Sequence, residues 1–377
     1  MKKLYILSVI VFALICWVIS NWGAWFHEYV ETKFQLMESV IGVQLTVGND
    51  PINERIISWR SRPDSLLLEK NAVRLIWMSD VDTIYPEVNK KWIKSQGGEA
   101  IYFWSRVDVE EGKYNYAIET IEFVDSKDTI KNITPYYSTK VDYSDSIQIL
   151  VIGDVQDFRY NPETDSAVRY IVDNYEPDFI LQLGDLIDRP MQDKWDLYFN
   201  SFELLRTSVP LIAIVGNHDY HKGLNKYPDE RFFYTFPYFL DENDEVPSVG
   251  YSELDFGKTI LYILDSNQPI WRQIGQQGWF ESRLKKAGDK KKILALHHPL
   301  RSARGRFNNF IVQQLYESIV LEYNVELVLA GHEHTYHVLS AEETGGYEQI
   351  ITNFSFKTYD EAEGNEDRKI VELNIEK

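Results

Sequence analysis

Cysteine is almost missing from this chain: Cys16 is the only one, and it lies in an uncharged apolar stretch near the N-terminus. The part that builds a core therefore has no disulfide and no thiol chemistry. Ile15 before it is too bulky for a lipoprotein site, so Cys16 reads as a membrane-facing residue. Positive charge is also scarce. Lys and Arg number 39 against 58 Asp and Glu, a net charge of -19 and a pI near 4.9. That balance excludes a broad nucleic-acid-binding surface, which would be basic. It leaves anionic small substrates open, because a dicationic metal centre dominates its local field. Low-complexity tracts and internal repeats are absent. What remains is an ordinary globular composition over 377 residues, enough for one large domain and a smaller one.

Charge is absent altogether from residues 4–26, which follow Lys2 and Lys3. A bilayer span needs about 20 apolar residues. The stretch reads as an uncleaved membrane anchor with the rest of the chain outside, because the lysines stay in the cytoplasm. The rival is a cleaved signal peptide, with Val18-Ile19-Ser20 as the small-residue site and an exported soluble product. From there to residue 64 the pattern is poor, though residues 28–43 could form a helix. Residues 65–140 carry strand patterns: in residues 72–78, Val73, Leu75 and Trp77 share one face, and residues 100–104 and 136–141 look similar. We expect three parts: a membrane anchor or signal segment over 1–26, an N-terminal region over 27–144 with a small β-sandwich at about 65–140, and a larger domain over 145–377.

The larger domain alternates strands with helical stripes such as Trp195, Tyr198, Phe202 and Leu205. Five of its short apolar runs end alike. Residues 149–152 run into Gly153-Asp154-Val155-Gln156, and residues 179–183 into Gly184-Asp185-Leu186-Ile187-Asp188-Arg189. Residues 211–215 run into Gly216-Asn217-His218-Asp219, residues 293–296 into His297-His298-Pro299, and residues 327–330 into Gly331-His332-Glu333-His334. In open α/β sheets, ligands bind beyond the carboxyl ends of strands. One Asp at a strand end is usually a turn former or helix cap, and one Asn or His pair there means little. Five such ends together supply the hard oxygens and imidazoles that a two-metal site needs. Asp154 and His334 would hold one ion, Asn217, His297 and His332 the other, and Asp185 would bridge them.

This set of motifs resembles the calcineurin-like metallophosphoesterases over roughly residues 147–340. Gly250-Tyr251-Ser252, Leu264-Asp265-Ser266 and the segment from Gln276 to Trp279 resemble the purple acid phosphatases and their bacterial relatives. The resemblance implies an α/β fold: a four-layer metallophosphoesterase β-sandwich flanked by helices, preceded by a fibronectin-like β domain and the N-terminal hydrophobic helix. It implies two divalent or mixed-valence transition metal ions (Mn, Fe or Zn) and a metal-activated hydroxide that attacks a small phosphate ester. Two positions depart from the pattern. Asp188 stands where purple acid phosphatases place a colour-giving tyrosine, so an iron-tyrosinate site is lost. Gln156 stands where many members have a histidine ligand, and would be a weaker, neutral one.

By the same resemblance, Asp188-Arg189 looks like the Ser/Thr protein phosphatase segment in which the Asp orients the catalytic His and the Arg grips phosphate. His218 would donate a proton to the leaving group. His298 would either support the metal ligands or touch the leaving group, and Arg301, Arg304 and Arg306 form a basic loop within reach. The function expected is phosphomonoester hydrolysis. The alternatives are a cyclic-nucleotide or other phosphodiesterase or pyrophosphatase, and a non-catalytic envelope protein that keeps the fold for binding.

Overall fold

The computed structural model describes residues 9–20, 41–68, 72–95, 98–123, 129–142, 146–156, 162–221, 227–241, 243–247, 250–304, 310–355 and 369–377. Helix α1 covers residues 9–20, and its apolar side chains, Phe12 and Ile19 among them, are exposed. Residues 4–8 and 21–26 of the expected membrane segment lie outside the described residues. Among those described, no helix is long and apolar enough to cross a membrane.

The N-terminal region contributes β1 (Ile41–Val47), β2 (Glu54–Ser61), β3 (Val73–Met78), β4 (Thr83–Ile84), β5 (Asn89–Ser95), β6 (Gly98–Asp108), β7 (Gly112–Phe123), β8 (Thr129–Ile133) and β9 (Tyr137–Val141). The rest contributes β10 (Ser146–Ile152), α2 (Pro162–Asn174), β11 (Phe179–Gln182), α3 (Gln192–Ser201), α4 (Glu203–Arg206), β12 (Leu211–Ala213), α5 (Glu230–Thr235), β13 (Ser252–Asp255), β14 (Thr259–Leu264), α6 (Ile270–Leu284), β15 (Lys291–Leu296), α7 (Phe310–Glu322), β16 (Leu327–Ala330), β17 (His337–Leu339), α8 (Ala341–Thr344), β18 (Glu348–Ile351) and β19 (Val371–Glu376). Three sheets result. One has the order β19-β10-β11-β12-β1-β2-β6-β5, the second β13-β14-β15-β16-β18-β17, and the third β4-β3-β7-β8 with β9 on β7.

The strands that carry the motifs run parallel: β10, β11 and β12 in the first sheet, β15 and β16 in the second, where β14 lies parallel beside β15. Parallel neighbours send their carboxyl ends to one edge, so their following loops meet there. The central strands of the second sheet are buried almost throughout, as strands covered on both faces are, and alternate side chains enter different cores. Leu261, Ile263, Ile293, Ala295 and Leu329 join the large core shared with the first sheet. Tyr262, Leu264, Leu294, Leu296 and Val328 join a separate core with Phe280 and Leu284 of α6 and Tyr316 and Val320 of α7. The fold is thus mixed α/β, with helices covering the sheets. The stripe Trp195, Tyr198, Phe202 and Leu205 is buried, divided between α3 and α4 by Phe202, which caps both.

Two local expectations need correcting. A helix over residues 28–43 conflicts with β1, which begins at Ile41, and the rest of that span lies outside the described residues. Strands also start well before residue 65, and they do not stand apart. β1 pairs with β12 in parallel, Thr46 opposite Leu211, so β1, β2, β6 and β5 prolong the sheet that carries the motifs. Polar side chains hid these strands. Gln44, Thr46, Arg55, Ser58 and Arg60 are all buried and break the apolar pattern. Arg55 Nη1 donates within its own turn to Pro51 O at 2.8 Å, but the others are held by partners no local pattern reveals: Ser58 Oγ donates to Thr235 O at 2.8 Å, and Arg60 pairs with Asp196.

Candidate metal centre

Each motif residue sits where an extended strand turns sharply. Asp154, Asp185, His332 and His334 all have left-handed backbones, with φ of 53, 52, 72 and 50°. Asp and His tolerate that region better than most residues, yet each instance costs about 1–3 kcal/mol. The cost is concentrated at one edge of two sheets. Glycines make the close approach possible. A Cβ on Gly216 would lie 2.1 Å from Asp185 N and 2.2 Å from Asp185 Oδ1, and one on Gly331 would lie 2.7 Å from Asp154 Oδ2.

The side chains gather in two groups joined by Asp185. In one group, Asn217 Oδ1 lies 3.1 Å from His297 Nε2 and 2.8 Å from His332 Nδ1, and Asp185 Oδ1 lies 3.2 Å from His297 Nε2. Ligand atoms of Asp185, His297 and His332 fall within 4.8 Å of one another. In the other group, Gln156 Nε2 lies 3.3 Å from Asp185 Oδ2 and 3.3 Å from His334 Nε2, which is 3.8 Å from Asp154 Oδ1. Asp185 therefore turns one oxygen toward each group. All seven metal ligands expected from the motifs are brought together.

The donor set fits a pair of transition metal ions. It combines carboxylates, an amide oxygen and imidazoles, which suits Mn, Fe or Zn rather than softer metals. His297 Nδ1 donates to Leu183 O at 2.8 Å, which leaves Nε2 as the coordinating atom. Gln156 Oε1 is buried and has no hydrogen-bond partner among the described residues. An amide turned to face the group would use it. Electrostatics agree. Burial favours neutral Asp185, but the His297 imidazole beside it holds its carboxyl well below the usual range. Burial opposes charge on His297, and Asp185 overcomes it and raises the imidazole pKa. The pair demands positive charge between them, which a proton or a cation supplies.

Around this cluster the roles divide. His218 Nδ1 lies 2.6 Å from the main-chain carbonyl of Asp188, while the Asp188 carboxylate is 3.9 Å away. The expected orienting carboxylate is thus replaced by its own backbone. That carboxylate instead accepts from Arg189 Nε at 2.9 Å and Nη2 at 2.9 Å, so the expected phosphate clamp is already paired with its neighbour. Burial works against charge on Asp188, and Arg189 restores it and lowers the pKa. His298 Nδ1 meets Ser266 Oγ at 2.9 Å, and its ring lies 4.1 Å from that of His332. Arg301 turns away from the centre. Its guanidinium binds Glu317, Glu343 O at 2.7 Å and Thr344 O at 2.8 Å. Arg306 lies outside the described residues.

Three supporting residues carry no expectation from sequence. Asp219 accepts from Leu186 N at 3.0 Å, Ile187 N at 3.3 Å and Gly216 N at 2.8 Å, which ties two motif loops together. Burial and the nearby Asp185 charge push its pKa up. Glu333, fully buried, accepts from Ala303 N at 2.8 Å and from Ser302 Oγ, and so holds the loop after β15. Ser266 seats His298. Asp219 and Glu333 lie inside the motifs, but nothing in their spacing separates a loop tie from a ligand.

Comparison with known proteins came down on one family. Residues 147–336, just over half the chain, match the family model described as calcineurin-like phosphoesterase. The chain is similar to glycerophosphodiester phosphodiesterase GpdQ of Enterobacter lignolyticus, 27% identical over 128 residues, covering 33% of this chain and 42% of that protein. It is similar to purple acid phosphatase 15 of Arabidopsis thaliana, 22% identical over 218 residues, covering 50% of this chain and 40% of that protein. The chain thus spans about two fifths of the length of these curated relatives. Among solved structures it resembles the purple acid phosphatase PPD1 of yellow lupin, with a TM-score of 0.72 at 13% identity over 90% of this chain and 70% of that one. At that identity the likeness concerns the fold.

The Gly216 approach gives a direct test. Gly216→Ala should displace Asp185 and weaken metal binding by about 10–100-fold, the range for lost support of metal ligands. Competition against a chelator of known affinity measures this, and wild-type affinity would mean that the two loops are not packed as described.

Proposed function

This chain belongs to the calcineurin-like phosphoesterase family, and on that premise we propose that it hydrolyses small phosphate esters at a dinuclear metal centre. One observation carries the reading: the two oxygens of Asp185 face two separate donor groups. The first group is Asp154, Gln156 and His334, the second Asn217, His297 and His332. When bound, two transition metal ions supply Lewis acidity and activate water near neutral pH.

The chain's own residues do the rest. Asp185 brings negative charge that draws the two cations together. Asn217 Oδ1 sits between the two imidazoles of its group and sets their spacing. Asp154 Oδ2 accepts from His332 N at 2.8 Å, so the two donor groups are also joined through the backbone. His218 keeps its Nδ1 hydrogen on a carbonyl, which only accepts, so Nε2 is the atom that delivers a proton to the leaving oxygen. Its main-chain N donates to Asp185 Oδ1 at 2.8 Å, which fixes its place relative to the centre. Arg189, half-exposed at the rim, offers a guanidinium to the phosphoryl oxygens when the substrate displaces Asp188 from it. His298 touches the leaving group or backs His332.

A phosphomonoester is the substrate class we favour, since a dianion gains most from a guanidinium beside two cations. A diester is the second reading, and a specific observation supports it. Asp188 neutralises Arg189, which removes part of the preference for a dianion, and three relatives are named as phosphodiesterases. We also propose that residues 4–26 anchor the protein in a membrane with the catalytic domain outside. The exposed apolar side chains of α1 and the preceding Lys2 and Lys3 support this.

Asp185→Asn should reduce binding of both ions, because a neutral amide bridges poorly. Full metal content in that variant, by elemental analysis, would refute the bridge.

For substrate class, the comparison is kcat/KM for nitrophenyl phosphate against bis-nitrophenyl phosphate on one metal-loaded preparation. The monoester should be preferred. A tenfold preference for the diester, about 1.4 kcal/mol of transition-state binding, would establish the second reading.

For the anchor, the full-length protein should stay in the membrane fraction through a high-salt wash. Recovery of a soluble form that begins near Asn21 would show cleavage instead.

A further inference from the structure

Behind the loop that carries Asp188 lies a buried ion pair that no motif contains. Asp229 is fully buried and Arg231 only 2% exposed. Arg231 Nε donates to Asp229 Oδ1 and Oδ2 at 3.0 and 2.9 Å, and Trp195 Nε1 donates to Oδ2 at 2.8 Å. Asp229 also caps α5 by accepting from Arg231 N at 3.1 Å. The far end of the guanidinium points at the Asp188 loop. Nη2 donates to Pro190 O at 3.0 Å and Nη1 to Gln192 Oε1 at 3.3 Å. On the other side, Asp229 N donates to Asp219 O at 2.9 Å, one residue beyond His218. His221 Nε2 stands 3.8 Å from Asp229 Oδ1, with its ring against Tyr227.

One residue pair therefore holds both loops that meet at His218. Pro190 is two residues from Asp188, whose carbonyl receives His218 Nδ1 at 2.6 Å. Asp219 is the neighbour of His218 itself. A buried ion pair adds little net stability, because taking two charges out of water offsets their attraction. What a guanidinium with several directed donors adds is geometry. A carbonyl, unlike a carboxylate, has no charge to pull the imidazole back after a displacement. The His218 ring therefore depends on where the Asp188 backbone is held. We propose that Arg231 is a positioning residue for His218: it sets the Asp188 carbonyl, and through it the direction of Nε2 toward the leaving oxygen. This rests on the reading of His218 as proton donor.

The test compares Arg231→Lys, His218→Ala and the double variant, each metal-loaded, on two esters of the preferred class. One ester has a nitrophenol leaving group and the other an alkyl alcohol. Lysine keeps the charge opposite Asp229, but one ammonium does not span both Asp229 and Pro190 O. Arg231→Lys should lower kcat for the alkyl ester by about tenfold or more, part of the roughly 10²–10⁴-fold that a general acid supplies, and change the nitrophenyl ester by less than about threefold. Metal content should stay at the wild-type level. In the His218→Ala background the lysine should cost nothing further, because both changes remove one proton delivery. Trp195→Phe, which removes the indole donor to Asp229 and keeps the bulk, should give a smaller loss of the same pattern and serves if Arg231→Lys does not fold. Two results overturn the inference and leave His218 as the acid: equal losses on both esters, or an additive loss in the double variant. A His218→Ala loss that ignores the leaving group overturns the acid reading, and the inference with it.

Discussion

A carboxylate buried on a left-handed turn is the constraint around which this protein is arranged. Asp185 has almost no solvent to stabilise its charge, so that charge needs cationic and hydrogen-bonding neighbours. The His297 imidazole, the His218 main-chain N–H and the Gln156 amide provide them. Each neighbour comes from a different loop. Keeping one charge buried therefore requires several strand ends to converge, and that convergence is what assembles a metal-binding set.

Two sheets share the work. The first contributes Asp154, Asp185 and Asn217 from β10, β11 and β12, and the second contributes His297 and His332 from β15 and β16. Neither sheet alone holds both the acidic and the imidazole donors. The contact between them is tight where the loops cross. Phe354 N donates to Gly153 O at 2.7 Å and His297 Nδ1 to Leu183 O at 2.8 Å across the two sheets, while Gly331 N to His297 O and Val155 N to Asp185 O, both at 3.1 Å, tie neighbouring loops within each sheet. Such a backbone lattice resists displacement of any one ligand, as catalytic geometry requires.

Outside the ligands, buried polar residues serve as struts between loops. Asp219 joins the loops after β11 and β12, Glu333 fixes the loop after β15, and Asp229 with Arg231 braces the Asp188 loop against the one that carries His218. The same economy appears far from the site. Ser58 and Arg60 are buried within the first sheet and bond to Thr235 O and Asp196, far along the chain, where the N-terminal strands continue the sheet that carries the motifs. Arg189, half-exposed, is paired among the described residues with its neighbour Asp188.

Residue type and spacing picked out the side chains that the structure brings together, except Gln156, which entered through the family resemblance. Glycine before Asp185, Asn217 and His332, and apolar runs before each motif, are local signals, because a strand end and its turn are local objects. The parallel alternation of strands and helices, and so the shared edge, followed from the same patterns. Sequence could not decide which oxygen or nitrogen points where. The Asp188 carboxylate and its own carbonyl are one residue in a sequence, yet only the carbonyl lies within hydrogen-bond distance of His218. Arg301 and Arg189 look alike as loop arginines, but the partners of Arg301 lie on α7 and α8, remote in the chain. The strands over residues 41–61 were illegible for the same reason. Their buried polar side chains find partners only after the sheet has formed, and hydrophobic periodicity carries no trace of a hydrogen bond that tertiary contact creates.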